Sequence, residues 1–214
     1  MNGLGRNYKN KAWRLLFVIL LKAQDSRRCI VISQNYRDHR YFRRIGITTE
    51  FIMGSGGRRL KTGEKNKIIV VSREKKLKSQ KKAINAFLGK HPKINLDIYG
   101  MLSASHDFGC RVRFNGYVKN ENLFRDADYL YHPSGYGDGF PHSIADAICS
   151  GIDVILAKRN YIEYGLYLMA NREHFSDGYV RLSFSGGKNC ALSKQVQLKY
   201  VNRQYMCLIN RLLR

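Results

Sequence analysis

Acidic residues are scarce in this chain. Sixteen Asp and Glu stand against 38 Lys and Arg, for a formal net charge of +22 at pH 7. That imbalance points to an anionic partner, whether nucleic acid, an anionic lipid surface or a phosphate-bearing substrate, and basicity alone does not choose among them. There is no Cys-x-x-Cys pair. Five cysteines stand singly at Cys29, Cys110, Cys149, Cys190 and Cys207, an odd and scattered set that argues for reduced thiols in a cytosolic protein and against a disulfide scaffold or a zinc site. The six histidines are equally dispersed, so a metal centre has little support. No segment is long enough to span a bilayer. The apolar run Leu15 to Leu21 covers seven residues, against about 20 for a transmembrane helix. Basic residues before it imitate a secretory leader, but Lys22 follows at once and no Ala-x-Ala site is present. Repeats and low-complexity segments are absent too. With 44% apolar residues in 214, the chain can bury a core, and global disorder is excluded.

The richest stretch runs from Ala127 to Lys158. Tyr129 to His132 read as a strand that Pro133 and Ser134 stop, since proline cannot donate to a ladder. Gly135, Gly137 and Gly139 follow as a loop that lets another molecule approach the backbone. Pro141 suits the first turn of a helix and Gly151 the residue just beyond its end. Val154 to Leu156 return as a buried strand, parallel to the first because a helix joins them. Two carboxylates belong to this unit, Asp138 in the loop and Asp146 in the helix. Free N–H groups at a helix start attract phosphate, and a carboxylate accepts hydrogen bonds from a sugar diol. The stretch therefore suits a ligand that carries both. The plainer alternative makes Asp138 a turn residue and Asp146 a solvated helix residue.

Elsewhere the patterning predicts a helix over Lys11 to Ala23, apolar around most of its circumference and expected to be buried or to lie at a membrane surface. A strand at Cys29 to Ser33, a helix from Tyr36 to Arg44 capped by Asn35 and ended by Gly46, and a strand at Glu50 to Met53 follow, closed by the turn Gly54-Ser55-Gly56. From residue 66 onward strand and helix alternate: Lys67 to Ser72, a helix from Ser79 to Leu88, strands at Ile94 to Tyr99 and Val112 to Asn115, and a short helix from Asn120 to Arg125. This predicts an α/β fold with a doubly wound parallel sheet. Helices are expected from Tyr161 to Ala170 and from Ser193 to Leu212, the last with Val196, Tyr200, Val201, Met206, Cys207, Leu208 and Leu212 as a core-facing stripe, and a strand at Gly178 to Ser183. Arg73 and Lys78 stand out within a basic run, because they follow a strand's carboxyl end, where open α/β sheets bind ligands.

Set side by side, Pro133-Ser134, Asp138-Gly139-Phe140, Asp146-Ala147 and Gly151-Ile152-Asp153-Val154-Ile155 resemble the donor-binding motif of retaining GT-B glycosyltransferases of the family 4 type. Both aspartates replace glutamates of that motif and are one methylene shorter. Arg73 and Lys78 match the family's cations that pair with the donor diphosphate. Ser33-Gln34-Asn35, Asp38 to Phe42, Gly46-Ile47 and the Gly54-Ser55-Gly56 linker look like the last unit of the family's first domain, and Gly3-Leu4-Gly5 like one of its loops.

The resemblance implies a Rossmann-like C-terminal half of a GT-B fold, residues 57–214, which binds a nucleotide-sugar, with residues 1–56 as a remnant of the acceptor-side domain. Roughly two-thirds of that first domain would be absent, as in a truncated product or one half of a split enzyme. It further implies transfer with retention and without metal or cofactor, from a UDP-sugar to a growing cell-surface glycan on a lipid carrier. Arg73 and Lys78 would hold diphosphate. Tyr117 and Val118 would face the base, with the alternative that Tyr117 is ordinary packing. The backbone of Gly139, Phe140, Pro141 and His142 would meet sugar or phosphate. Asp138, the candidate catalytic residue, would take sugar hydroxyls and Asp146 the ribose. Expected partners are the donor, a glycan or lipid-linked acceptor, an anionic membrane surface at the inner face of the membrane, and a chain supplying the rest of the first domain. Two other classes remain: an inactive fragment of such an enzyme, and a basic nucleic-acid-binding module. Against the module, basic and aromatic residues do not interleave in any RNA-binding pattern.

Overall fold

The computed structural model describes residues 11–23, 29–63, 67–102, 108–133, 139–184 and 187–213, without the side chains of residues 11, 74–76, 78 and 79. Two sheets are present among them. The smaller pairs β1 (Val31–Ser33) with β2 (Thr49–Phe51) in parallel, joined through α2 (Tyr36–Arg44). Asn35 caps α2 as its residue type suggests: its Oδ1 accepts the Asp38 N–H at 2.8 Å, and its Nδ2 donates to the Asp38 carboxylate at 3.0 Å. Helix α1 (Lys11–Lys22) leans on this unit through Phe17 and Leu21, which pack against the buried Phe42 and Ile47. The expectation that α1 is buried is overturned. Trp13, Leu15, Leu16, Ile19 and Leu20 are each 46–62% exposed. A two-stranded sheet offers too little apolar surface to cover a helix that is apolar nearly all round.

The larger sheet has seven strands in the order β5-β4-β3-β6-β7-β9-β8. These are β3 (Lys67–Val71), β4 (Leu96–Tyr99), β5 (Val112–Phe114), β6 (Ala127–His132), β7 (Asp153–Ala157), β8 (Glu173–Ser176) and β9 (Tyr179–Leu182). The first five in that order run parallel, and β9 and β8 add an antiparallel edge. The run of apolar residues in each central strand follows from burial on both faces. Ile69, Leu130, Val154 and Leu156 point to one core with Ile144, Ala147 and Ile148 of α4 (His142–Ser150). Val70, Tyr131 and Ile155, one residue out of phase, point to the other core with Leu77, Ile84 and Phe87 of α3 (Glu74–Lys90). Phe87 stacks on Tyr131 with ring centroids 4.0 Å apart.

Several boundaries differ from expectation for local reasons. Helix α3 begins five residues earlier than predicted, with Arg73 as its N-cap, and ends at Lys90. The helix expected over Tyr161 to Ala170 is α5 (Lys158–Glu163) followed by a 3-10 turn at Leu166–Leu168. Gly165 adopts φ 76° between them, a conformation no continuous helix contains. The 120–125 helix is a 3-10 turn at Asn120–Asn122, and β8 was not anticipated. The terminal helix is two: α6 (Cys190–Gln195) and α7 (Leu198–Leu212). The break falls where Gly57 pairs with Gln197; the Gly57 N–H donates to the Val196 carbonyl at 2.7 Å and the Leu198 N–H to the Gly57 carbonyl at 3.0 Å. In α7 only Val201 of the expected core stripe is buried, while Tyr200, Met206 and Leu212 are exposed. Instead α7 crosses back to the small sheet, where Arg211 pairs with Glu50 at 2.7 Å and Gln34 donates to the Tyr205 hydroxyl at 3.4 Å.

Candidate functional site

The parallel strands run outward in both directions from β3 and β6. Successive crossovers therefore leave the sheet on opposite faces, and a crevice opens at the carboxyl ends of those two strands. A cleft of about 530 Å³ lies there. Val71, Ser72 and Arg73 reach it from the end of β3, Tyr99 and Gly100 from β4, and Gly139 to Ser143 from the segment leading into α4. Tyr117, Val118, Asn120 and Leu123 form another wall, and Gln34 and Ser55 come from the N-terminal unit.

Arg73 is exposed at the cleft and forms no ion pair among the described residues. Ser72 beside it is held by its hydroxyl donating to Gln80 Oε1 at 2.6 Å. Lys78 lies in the second turn of α3, and its side chain is outside the described part. Tyr117 is 79% exposed and Val118 37%, so Tyr117 presents an open ring at the cleft and is not ordinary packing. Asp138 lies outside the described residues. Gly139 passes so close to Gln34 that a Cβ would stand 2.7 Å from its Oε1, and the cleft there is closed by the N-terminal unit. Phe140 is 4% exposed and forms an edge-on pair with Tyr164, with the Gly54 turn lying over its ring. It supports the floor of the cleft.

Pro141 is the N-cap of α4, one position before the expected first turn. Its carbonyl takes the N–H groups of Ile144 and Ala145 at 3.1 and 3.2 Å. The N–H groups of His142 and Ser143 have no acceptor within the helix, as at any helix start, and both residues line the cleft. His142 Nε2 lies 3.0 Å from the Ser55 hydroxyl, tying the helix start to the linker. Asp146, one turn further on, does not line the cleft. Its Oδ1 accepts the Arg58 backbone N–H at 2.8 Å. Burial raises its pKa above the usual carboxylate value, while that hydrogen bond and the charges of His142 and Arg58 pull it partly back.

Gln34, Ser55, Tyr99 and Ser72 were not named as site residues from the sequence, although each follows or ends a strand or sits in the linker. Residence at a strand's carboxyl end was the signal for them. His132, at the end of β6, is buried and lies 3.0 Å from the Tyr164 hydroxyl. Among the described residues no group of three or more His, Cys, Asp or Glu could hold a metal ion, and no helix is long and apolar enough to cross a membrane.

The cleft thus offers an exposed guanidinium, the positive end of a helix and an exposed aromatic ring, a combination suited to an anionic ligand with a planar group. A family model described as glycosyl transferases group 1 matches residues 57–164, just over half of the chain. No curated protein sequence matches. Among solved structures, the crystal structure of the GtfA/B complex is similar with a TM-score of 0.52 at 12% identity, covering 86% of this chain and 45% of that one. The crystal structure of TarM is similar with a TM-score of 0.49 at 14% identity, covering 91% and 40%. The chain therefore spans less than half the length of either solved chain. The first likeness agrees with the Rossmann-like arrangement seen here.

Proposed function

The chain belongs to the glycosyl transferases group 1 family, and from this premise we propose that it is the donor-binding half of a retaining, family 4 type glycosyltransferase. It takes a sugar from a nucleotide-sugar, a UDP-sugar, and passes it to a growing cell-surface glycan. Residues 57–214 form the nucleotide-sugar domain and residues 1–56 the remnant of the acceptor-side domain. The observation that carries this reading is the cleft at the carboxyl ends of β3 and β4, where Arg73, the start of α4 and Tyr117 converge.

In the reaction the bond between the sugar's anomeric carbon and the diphosphate breaks while the oxygen of an acceptor hydroxyl bonds to that carbon, and the hydroxyl's proton passes to the departing diphosphate oxygen. Negative charge then grows on the departing diphosphate. Arg73, with Lys78 following it on α3, and the His142 and Ser143 N–H groups stabilise that charge. The ring of Tyr117 stacks on the base and Val118 packs beside it. The Gly139 to His142 backbone lies along the sugar and phosphates. Asp138 binds sugar hydroxyls and acts as the catalytic residue, while Asp146, expected to take the ribose, lies outside the cleft and instead ties α4 to the linker through the Arg58 N–H. No metal and no cofactor beyond the donor enter this scheme.

The other partners follow from what is left open. The outward face of α1, with Trp13, Leu15, Leu16, Ile19 and Leu20 exposed, on a chain of net charge +22, fits an anionic membrane surface carrying the lipid-linked acceptor at the inner face of the membrane. The two-stranded sheet β1–β2 fits a further polypeptide supplying the rest of its domain.

The test is thermal unfolding with UDP. A ligand at 100 times its dissociation constant stabilises the native state by about 2.7 kcal/mol, which for a chain of this size raises the melting temperature by roughly 5–10 °C. Arg73→Ala is expected to abolish most of that rise. A wild-type protein indifferent to UDP and to UDP-sugars overturns the reading. For the membrane contact, sedimentation with vesicles that does not depend on anionic lipid overturns that part.

A further inference from the structure

A second cavity, of about 600 Å³, lies at the other end of α4, and nothing in the donor reading uses it. The nine-residue α4 sends its start to the cleft and its end, Cys149 to Gly151, to this cavity, so the two sites are separated by roughly 13 Å of helix. Arg58, Arg59, Lys188 and Lys199 line it, and among the described residues no Asp or Glu does.

The backbone forces these cations together. Gly57 pairs with Gln197 through the two hydrogen bonds that divide α6 from α7. Arg58 and Arg59 are thereby brought beside Lys199, some 140 positions away in sequence. A Cβ at residue 57 would stand 2.4 Å from the Ala145 carbonyl carbon, so only glycine lets the segment lie this close to α4. Acids nearby answer part of the charge. Glu173 pairs with Lys188 at 2.8 Å and also with Arg181. Asp146 lies near Arg58 but accepts that residue's own N–H. Arg59 and Lys199 have no carboxylate partner among the described residues. The helix end could offer carbonyl oxygens to a cation, and part of it is already occupied. The Gly151 N–H and the Ser193 hydroxyl take the Ile148 carbonyl, the Ile152 N–H takes that of Ala147, and the Ser150 hydroxyl takes that of Asp146. Arg59 and Lys199 are thus held at a concave site with no carboxylate countercharge among the described residues.

We propose that this cavity is a second anion-binding site, distinct from the donor cleft, that takes a phosphate-bearing ligand through Arg58, Arg59 and Lys199. Two guanidinium groups suit phosphate oxygens in bidentate geometry, and a lysine adds a point charge. The phosphate has two possible sources, a free polyphosphate or phosphorylated solute and the headgroup of an anionic phospholipid.

Inorganic tripolyphosphate is the probe, with binding read by calorimetry and by thermal shift. Four proteins are compared: the wild type, the triple variant Arg58→Gln/Arg59→Gln/Lys199→Gln, the cleft variant Arg73→Gln, and a control that removes three exposed cations elsewhere, Arg44→Gln/Lys93→Gln/Arg125→Gln. The single variant Lys199→Gln replaces the triple one should the latter fail to fold. We expect wild type and the control to bind alike, Arg73→Gln to lose only the donor cleft's share of the binding while keeping this cavity's, and the triple variant to keep the cleft's share while binding at this cavity at least about tenfold more weakly, since each charge-assisted hydrogen bond is worth that much or more. Loss in Arg73→Gln with retention in the triple variant places the anion in the donor cleft and overturns the proposal. Equal losses in the triple variant and the control reduce it to net charge and overturn it too, as does an absence of binding to the wild type. Vesicles of anionic phospholipid that sediment with wild type but not with the triple variant assign the phosphate to a headgroup. Discrimination seen with tripolyphosphate alone assigns it to a soluble ligand. Because Arg73→Gln retains this site, failure of the donor reading and failure of the second site are told apart.

Discussion

Replacing Gly100 by alanine tests whether the carboxyl edge of the sheet is as tightly built as its geometry says. Gly100 follows β4 with φ 105°, and an added Cβ would stand 2.2 Å from the Ser72 carbonyl oxygen. Ordinary contacts there begin at 3.4 Å, so the backbone at residue 72 or residue 100 must move by about 1 Å. The positive φ alone costs about 1–2 kcal/mol in a residue with a side chain, and overpacking adds about 1–3 kcal/mol. Gly151→Ala is the control: its φ is 73°, but nothing lies within 4 Å of the added methyl. Gly151→Ala should lower the melting temperature by roughly 2–8 °C, and Gly100→Ala by clearly more, at 2–4 °C for each kcal/mol of the steric part. Scanning calorimetry on both variants measures the difference. The displacement also carries Ser72, and with it Arg73, so Gly100→Ala should lose UDP stabilisation that Gly151→Ala retains. Equal melting temperatures for the two variants, with equal UDP responses, would refute the claim that residue 100 fixes the cleft by contact.

Other outcomes follow from single groups. Burial raises the folded pKa of Asp146, so its stabilising effect is complete below the ordinary aspartate value and is lost as pH rises through the folded value. Asp146→Asn should therefore melt above wild type at pH 7, with the gap closing as pH falls toward about 3.9; a variant less stable than wild type at pH 7 contradicts this. The Cys149 thiol is pushed up to about 12, first by burial and then by the charge of Asp146. Iodoacetamide at pH 8 should spare it in the folded protein while modifying the exposed Cys110, Cys190 and Cys207, as peptide mass spectrometry will show; rapid labelling of Cys149 counts against it. Asn35→Ala removes both the cap of α2 and one side-chain partner of the buried Asp38, which keeps Arg37, a loss of about 1–2 kcal/mol visible in the urea midpoint. An unchanged midpoint means the cap is dispensable.

Much of the architecture was legible from local pattern. Asn35 and Gly151 mark their helix ends because capping depends on residues a few positions apart, and both act as expected. Strands β3, β6 and β7 announced themselves as apolar runs because burial on both faces leaves no polar alternation to read. Boundaries set by distant contacts were not legible. The break between α6 and α7 is made by Gly57, more than 130 residues earlier. The stripe on α7 looked like a core face, but whether a stripe is covered depends on the neighbour it meets, and Tyr200 and Met206 stay exposed.

The candidate site divides the same way. The residue types were visible in the chain: an arginine after a strand, a glycine-bearing loop, a proline before a helix. Their convergence on one cleft was not, nor were Gln34 and Ser55, which reach it from another unit. Chemistry and local conformation depend on a residue and its near neighbours, and the sequence alone determines them. Strand order, the crevice between β3 and β6, and the gathering of Arg58, Arg59 and Lys199 around one cavity depend on backbone pairing between segments far apart in the chain. Only the tertiary structure decides those, because register and packing place a charge beside another that no sequence spacing connects.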